Sequence, residues 1–146
     1  MGFIFLWAFF DKTFGLGLST QASKAWLTGV SPTLGYLKNA THGPLADFFH
    51  SLAGNPIVDI LFMLGLVGVG VAFFLGIAMR FASIAGSIMM ILMYISAFPP
   101  VNNPIVDDHI IYALVLLVLG NIKQEETIFA KWFNKSSISK TLPFLK

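Results

Sequence analysis

Three residues beside long apolar segments carry the side chains best suited to chemistry: Lys12, Asp108 and His109. Histidine titrates near neutral pH and exchanges protons, and a carboxylate can orient its ring. Tyr112 lies three residues after His109 and four after Asp108, so a helical turn of about 100° per residue places all three on one face. Lys12 supplies a cation that either pairs with Asp108, binds an anion, or extends to the membrane surface. We take Lys12, Asp108 and His109 as candidate catalytic residues and expect them to converge in one network.

A second set of residues near the same ends of the apolar segments is a candidate binding site for a quinone or another substrate. Its members are Asp11, Trp7, Asn103, Tyr112 and His50. A quinone site needs an apolar slot with a few hydrogen-bonding groups, which such a set supplies. A structural interpretation stays open, because first-turn carboxylates favour helix formation and tryptophan is common at membrane interfaces.

The composition indicates the class of protein that must position these groups. Of 146 residues, 56% are hydrophobic and only 11% are charged, and the mean hydropathy is +0.80. Soluble domains are about a quarter charged, so the chain is predicted to be an integral membrane protein. The net charge of +2 is too small to indicate a nucleic-acid partner.

The types of cofactor are also restricted by the composition. The chain has no cysteine, which excludes disulfides, thiolate nucleophiles and cysteine-bound iron–sulfur clusters. It has three histidines, too few for a di-haem bundle, and their spacing matches no compact metal motif. We therefore expect no haem, no iron–sulfur cluster and no metal.

Four apolar segments predict an all-α fold, an integral membrane four-helix bundle. The segments are residues 2–18, 57–79, 81–98 and 105–122, and together with the connecting residues they form a domain over 1–122. A bilayer span needs about 20 apolar residues, so the first helix either starts upstream of Met1 or is tilted or locally thins the bilayer. Small residues on the spans predict close packing of the helices. They are Gly68, Ala72 and Gly76 on the second span, and Ala82 and Gly86 on the third.

The connecting segments carry helix signals of their own. The linker 19–56 is predicted to contain a helix that Ser19 or Thr20 caps and that ends near Leu27. A second helix is predicted from Pro44 to Ala53, lying in the membrane interface with one apolar face. That face holds Leu45, Phe48, Phe49 and Leu52. Before the fourth span, Asn103 is a predicted helix cap, and Pro104 fits the next position.

The distribution of basic residues predicts the topology. Arg80 separates the second and third spans, and it lies on the same side as the lysine-rich tail 123–146. Because basic segments resist translocation, both termini are expected in the cytoplasm, and the protein in the cell membrane as a multi-pass protein. The tail is then a basic cytoplasmic segment and the linker is external. Few ionisable groups lie at the inner halves of the spans, which disfavours a transporter.

The motif PPVNNPIVDDHIIYALVLL resembles the DoxX/DoxD-like membrane proteins, as do the segments FIFLWAFFDKTFGLG, GVSPTLGYL and GPLADFFHSLAGNPIVDILFMLGLVGVG, in the same order. The resemblance runs from Gly2 to about Gly120. It implies a four-helix membrane protein. The best characterised activity of that family is thiosulfate:quinone oxidoreductase, with DoxD as the membrane subunit and DoxA as its partner.

The resemblance also implies substrates and partners. Two thiosulfates would be joined to tetrathionate while two electrons pass to a membrane quinone, the only cofactor-like molecule expected. Lys12 is the cation best placed for the thiosulfate dianion. A second protein subunit or another copy of the chain is an expected partner, besides membrane lipid. The alternative is a non-catalytic structural or accessory subunit of a larger membrane complex.

Overall fold

The computed structural model describes residues 1–101, 103, 105–121, 131 and 135. Helices are the regular secondary structure of these residues, and no strand occurs among them. This confirms the all-α class. Two short 3-10 turns, Ala22–Lys24 and Trp26–Thr28, lie in the linker. The α-helices of the described residues are α1 (Gly2–Phe14), α2 (Leu34–Asn39), α3 (Ala46–Ser51), α4 (Pro56–Leu75), α5 (Met79–Ser96) and α6 (Asp108–Asn121).

Two of these helices, α4 and α5, are long and apolar enough to cross a membrane, with mean hydropathies of 2.5 and 1.5. The helix α1 has 13 residues, fewer than the roughly 20 that a perpendicular span requires. The described part of α6 has 14 residues and begins at Asp108, three residues later than the predicted start of the fourth span.

The turn between α4 and α5 differs from the sequence prediction. Gly76 adopts φ +72° and ends α4, with its N–H bonded to the Ala72 carbonyl. A residue without a Cβ takes this left-handed conformation at no steric cost. The connection is therefore 76–78, and Arg80 lies in the first turn of α5 rather than between the helices. Hydropathy continues through the turn, so the sequence pattern could not locate it.

Packing follows the order of the chain: α1 packs against α4, α4 against α5, and α5 most extensively against α6. Small residues let backbones approach at these contacts. A Cβ atom on Gly70 would lie 2.9 Å from the Leu6 backbone nitrogen, and one on Gly120 would overlap the Ser83 side chain. The buried core between the helices consists of Phe5, Met63, Leu66, Val69, Met90, Ala113 and Leu116.

The first predicted linker helix, from Ser19 or Thr20 to Leu27, is wrong. Ala25 has extended backbone angles and separates the two 3-10 turns, and its side chain is buried. A short segment without an amphipathic face gains too little from packing to overcome the cost of helix nucleation.

The second linker helix is confirmed in its central part as α3, which is shorter than the predicted Pro44–Ala53. Phe48, Phe49 and Leu52 point toward the space between α4 and α5, as the predicted apolar face requires. Leu45 does not, and its side chain is 47% exposed. The helix α3 therefore covers one end of the α4–α5 pair.

The start of α6 also differs from the prediction. The Asn103 side chain accepts hydrogen bonds from the Ile105 and Val106 N–H groups, but the helix begins at Asp108. Asp107 is the residue that caps it, accepting from the N–H groups of His109 and Ile110. Pro104 and, apart from residues 131 and 135, the basic tail lie outside the described residues.

Candidate functional site

A cavity of about 640 Å³ lies between α4 and α5, beneath α2 and α3. Its walls are almost wholly apolar. The wall residues of α4 and α5 are Val58, Leu61, Phe62, Gly65, Ala85, Ile88, Met89, Leu92 and Met93. Tyr36 and Leu37 of α2 and Phe48 and Phe49 of α3 close the end that faces the linker.

The cavity opens sideways between the two helices. Leu61, Ile88 and Leu92 line it, yet 64%, 57% and 52% of their surfaces are exposed. Large aliphatic side chains at such a rim suit contact with lipid rather than with water. The opening between α4 and α5 is therefore surrounded by exposed aliphatic side chains.

Lys12 is the one charged residue among those that line the cavity. It lies in the last turn of α1, and its Nζ is 6.0 Å from the centroid of the Phe62 ring. A cation over an aromatic face is attracted by the ring quadrupole. No carboxylate forms an ion pair with Lys12 within the described part of the chain.

A small polar group lies at the linker end of the cavity, formed by Tyr36 and Ser96. The Tyr36 hydroxyl lies 2.9 Å from Ser96 Oγ and 3.1 Å from the Met93 carbonyl oxygen. Ser96 Oγ donates to the same carbonyl at 2.7 Å. Burial raises the pKa of the Tyr36 phenol, the Ser96 hydrogen bond opposes this, and the negative charge of Asp107 raises it further. The phenol is thus kept neutral and able to donate.

Asp107 and His109 form a close pair at the start of α6. His109 Nδ1 lies 2.6 Å from Asp107 Oδ2, and each side chain is about one-quarter exposed. Burial acts to raise the pKa of Asp107, but the hydrogen bonds from His109 and from the Ile110 N–H outweigh it and hold that pKa below its usual value. The ring of His109 is oriented by a carboxylate, which leaves Nε2 as its free end.

The carboxylate that orients His109 is therefore Asp107 and not the predicted Asp108. Asp108 is exposed and makes no side-chain bond that the described residues provide. Asp107 lies just outside the helix as its capping residue, and from there its side chain reaches the His109 ring. The prediction of Asp108 assumed helical spacing, which does not hold for a capping residue such as Asp107.

The predicted network of Lys12 with Asp108 and His109 is not formed by direct ion pairs or hydrogen bonds in the described chain. The reason is the packing order. Because α1 packs against α4 while α6 packs against α5, the two helices have no extensive contact.

Asp11, predicted to bind substrate, faces the linker and does not line the cavity. Its side chain is fully buried, and Ser19 Oγ donates to Oδ2 at 2.8 Å. Oδ1 has no hydrogen-bond partner among the described residues. The carboxylate holds the chain that follows α1 against the end of the helix.

A second buried carboxylate, Asp59 in the first turn of α4, plays the same structural part. Its Oδ1 accepts from Ser31 Oγ at 2.8 Å, from the Thr33 N–H at 3.3 Å and from Thr33 Oγ1 at 2.5 Å. These bonds fix the segment that leads into α2 and so position Tyr36. The sequence signal was available, because Asp59 is the single charge in its apolar segment.

The remaining predicted binding residues lie outside the cavity. Trp7 is 39% exposed and stacks on Phe3. His50 is on the exposed side of α3, and Asn103 is exposed in the loop before α6. Tyr112 packs against the buried core. Sequence analysis missed Tyr36 and Ser96. They are 60 residues apart in the chain, and only the folding of the linker over α5 brings their hydroxyl groups together.

The comparisons with known proteins add no relative. The chain matches no known protein family, no curated protein and no solved structure. Within the described residues no group of three or more histidine or acidic side chains is arranged to hold a metal ion. The polar and charged residues that line the cavity are Lys12, Thr33, Tyr36 and Ser96.

Proposed function

We propose that the protein is a four-helix integral membrane protein that binds a membrane quinone in the cavity between α4 and α5. It passes electrons to that quinone from a small sulfur anion of the thiosulfate type. The observation that carries the proposal is a laterally open apolar cavity with one cation, Lys12, and one hydrogen-bonding group, Tyr36 with Ser96.

The cavity matches the physical demands of a quinone. Ligand sites have volumes of about 300–1,000 Å³ and mostly apolar walls with a few placed polar groups, and 640 Å³ lies in that range. The quinone carbonyl oxygens accept hydrogen bonds. The Lys12 ammonium can donate one, and the Tyr36 hydroxyl can donate another once its hydrogen turns away from the Met93 carbonyl oxygen. The isoprenoid tail leaves through the opening that Leu61, Ile88 and Leu92 surround.

The electron donor is proposed from the charge of the site and from the DoxX/DoxD resemblance. Thiosulfate is a dianion, and Lys12 is the cation that the cavity exposes to it. Two thiosulfates each lose one electron and form the central S–S bond of tetrathionate, while the quinone gains two electrons and two protons. This chemistry needs no protein thiol, in keeping with a chain that has no cysteine.

The membrane arrangement is part of the same proposal. The helices α1, α4, α5 and α6 span the cell membrane, and both termini lie in the cytoplasm. Arg80, Lys131 and Lys135 support this orientation, because basic residues are enriched on the cytoplasmic side. The linker and the polar end of the cavity then face outward, where an anionic donor arrives from the water.

Quinone titration of the purified protein in lipid nanodiscs tests the proposal. The wild type should bind a short-tailed benzoquinone saturably and reduce it when thiosulfate is added. The substitution Lys12→Met should weaken quinone binding about tenfold or more, since a hydrogen bond from a charged donor is lost, and should abolish thiosulfate-dependent reduction. Lys38→Met, an exposed lysine of α2, is the matched control and should behave as wild type.

Two outcomes would contradict parts of the proposal. Absence of saturable binding by the folded wild type, or equal binding by Lys12→Met, would refute the quinone site. Saturable binding without any thiosulfate-dependent reduction would favour the accessory role, in which a partner subunit supplies the electrons. Exposed aromatic residues on α1, such as Phe3, Phe10 and Phe14, offer an apolar surface for such a subunit.

A further inference from the structure

The polar group of the cavity, Tyr36 with Ser96, joins two separate elements of the fold. Tyr36 belongs to α2 and Ser96 is the last residue of α5, and their hydroxyl oxygens lie 2.9 Å apart. The geometry of this group therefore depends on what holds α2 against the end of α5. Because the rest of the cavity wall is almost wholly apolar, that contact also determines where a ligand finds a hydrogen-bonding partner.

The imidazole of His42 joins the same two elements a few residues away. Its Nδ1 lies 3.1 Å from the carbonyl oxygen of Ala40, the residue that ends α2. Its Nε2 lies 2.9 Å from the carbonyl oxygen of Pro99, in the loop that follows Ser96. The Ala40 N–H in turn donates to the Tyr36 carbonyl at 2.9 Å. The ring therefore ties the turn of α2 that carries Tyr36 to the loop that follows Ser96.

The backbones on the two sides of this bridge are in direct contact. The His42 N–H donates to the Ser96 carbonyl at 3.1 Å. Gly43 has φ +80°, and a Cβ atom there would overlap the Phe98 carbonyl oxygen, so a residue without a side chain is required at this approach. A change in the bonding of the His42 ring thus acts on a segment that is already bonded to Ser96.

The bonding of the ring changes with its protonation. Both of its partners are carbonyl oxygens, which only accept, so the imidazolium donates to both of them and the neutral ring donates to one. The bond to Pro99 and, after it, the bond to Ala40 raise the pKa of His42 above its ordinary value. When the ring loses its proton, one of the two links between α2 and the loop after α5 is lost.

We propose that His42 is a positioning residue of the quinone site, whose protonated ring holds Tyr36 against Ser96 and so favours binding. This inference rests on the proposed quinone site. The affinity is high when His42 is protonated and falls as the pH rises through the folded pKa of the ring. Because linkage is reciprocal, quinone binding also favours proton uptake by His42. One hydrogen bond that water can reach corresponds to a change of about threefold in affinity.

Other titratable groups on the elements that meet at His42 have to be separated from it. None of them forms an ion pair with His42 among the described residues. Histidine is the side chain that ordinarily changes charge between about pH 5 and 8, so the second histidine is the one that needs a control. The groups are Tyr36 and Lys38 on α2, Asp47 and His50 on α3, Tyr94 on α5, and Asp107 beyond the loop.

The test is the dissociation constant of a short-tailed benzoquinone as a function of pH, with the full chain in nanodiscs. Between about pH 5.5 and 8, the wild type should bind about threefold more weakly at the higher pH. His42→Gln cannot be charged and should bind at both pH values as the wild type does at the higher one. His42→Arg stays charged and should bind at both as the wild type does at the lower one. The matched control His50→Gln, on the exposed side of α3, should keep the wild-type profile.

Proton uptake gives a readout that a merely structural role would not change. Calorimetric titration in two buffers of different ionisation enthalpy should show net proton uptake when the wild type binds the quinone, and none with His42→Gln. Equal wild-type affinity at the two pH values, or a wild-type profile in either folded His42 variant, would overturn this inference alone. If the folded wild type binds no quinone at either pH, the proposed function and the inference both fail.

Discussion

His42 shows how one side chain can join the linker to the loop that follows α5. Its Nδ1 lies 3.1 Å from the Ala40 carbonyl oxygen, and its Nε2 lies 2.9 Å from the carbonyl oxygen of Pro99. Both partners are acceptors, so only the imidazolium donates to both. These bonds, the one to Pro99 first, raise the pKa of His42 above its ordinary value.

A pH dependence of stability follows from that shift. Because the folded pKa is above the unfolded value of about 6.5, the contribution is fully present below that pH and is lost as the pH rises through the folded pKa. The melting temperature of wild type should therefore fall over that interval. His42→Gln should lack this component, and His50→Gln should retain it. If the melting temperatures of wild type and His42→Gln depend on pH in the same way, the two His42 hydrogen bonds do not stabilise the fold as described.

The sequence could not show which of two adjacent aspartates, Asp107 or Asp108, pairs with His109. The sequence correctly predicted an imidazole beside a carboxylate at the start of the fourth apolar segment. It selected Asp108 because helical spacing places that residue on the same face as Tyr112. The structure begins the helix one residue later than Asp107, and a capping side chain does not follow helical periodicity. Only the exact helix start decides between two adjacent aspartates.

At the scale of elements, the sequence predicted the long helices well and their contact faces less well. Gly68, Ala72 and Gly76 were expected to form one packing stripe. Ala72 is buried, but Gly68 faces open space and Gly76 ends the helix. The close approach of α1 occurs at Gly70. A helix that is apolar on every face has no polar side to show which face is buried. The spacing of small residues alone could therefore not identify where α1 contacts α4.

This difference gives a matched pair of substitutions in one helix. Gly70→Ala places a Cβ 2.9 Å from the backbone nitrogen of Leu6, and overpacking of this kind costs about 1–3 kcal/mol. Gly68→Ala meets no atom within 4 Å and should be neutral or slightly stabilising, since alanine favours helix. Thermal unfolding in detergent, followed by circular dichroism, measures both. Equal melting temperatures would contradict the packing of α1 on α4.

The linker follows from the sequence only in part. The apolar face of α3 was readable from its periodicity, except for Leu45, but the cavity that this face covers was not predicted. The folding of residues 15–33 over the helix ends was not readable, because it depends on long-range bonds. Ser19 reaches Asp11, and Ser31 and Thr33 reach Asp59. A buried carboxylate in an apolar helix indicates that a partner exists but does not identify it.

At the scale of the whole molecule, the absence of cysteine makes the orientation directly testable. Lys24→Cys introduces a single thiol on an exposed linker residue, and Lys135→Cys introduces one in the tail. With a membrane-impermeant maleimide, Lys24→Cys should be labelled on intact cells, and Lys135→Cys only after the cells are permeabilised. The reverse pattern would overturn the orientation, and labelling of both on intact cells would place the two segments on the same side.

The whole-molecule account depends on the cavity between α4 and α5 being the quinone site. The most direct measurement is the dissociation constant of a short-tailed benzoquinone for two variants of α4 in nanodiscs. Gly65→Phe fills the cavity, where the nearest atom to an added Cβ is the flexible Met89 Sδ at 3.0 Å, whereas Gly68→Phe points into open space. Gly65→Phe should lose saturable binding while remaining folded, and Gly68→Phe should bind as wild type. Equal affinity of the two folded variants would contradict the account.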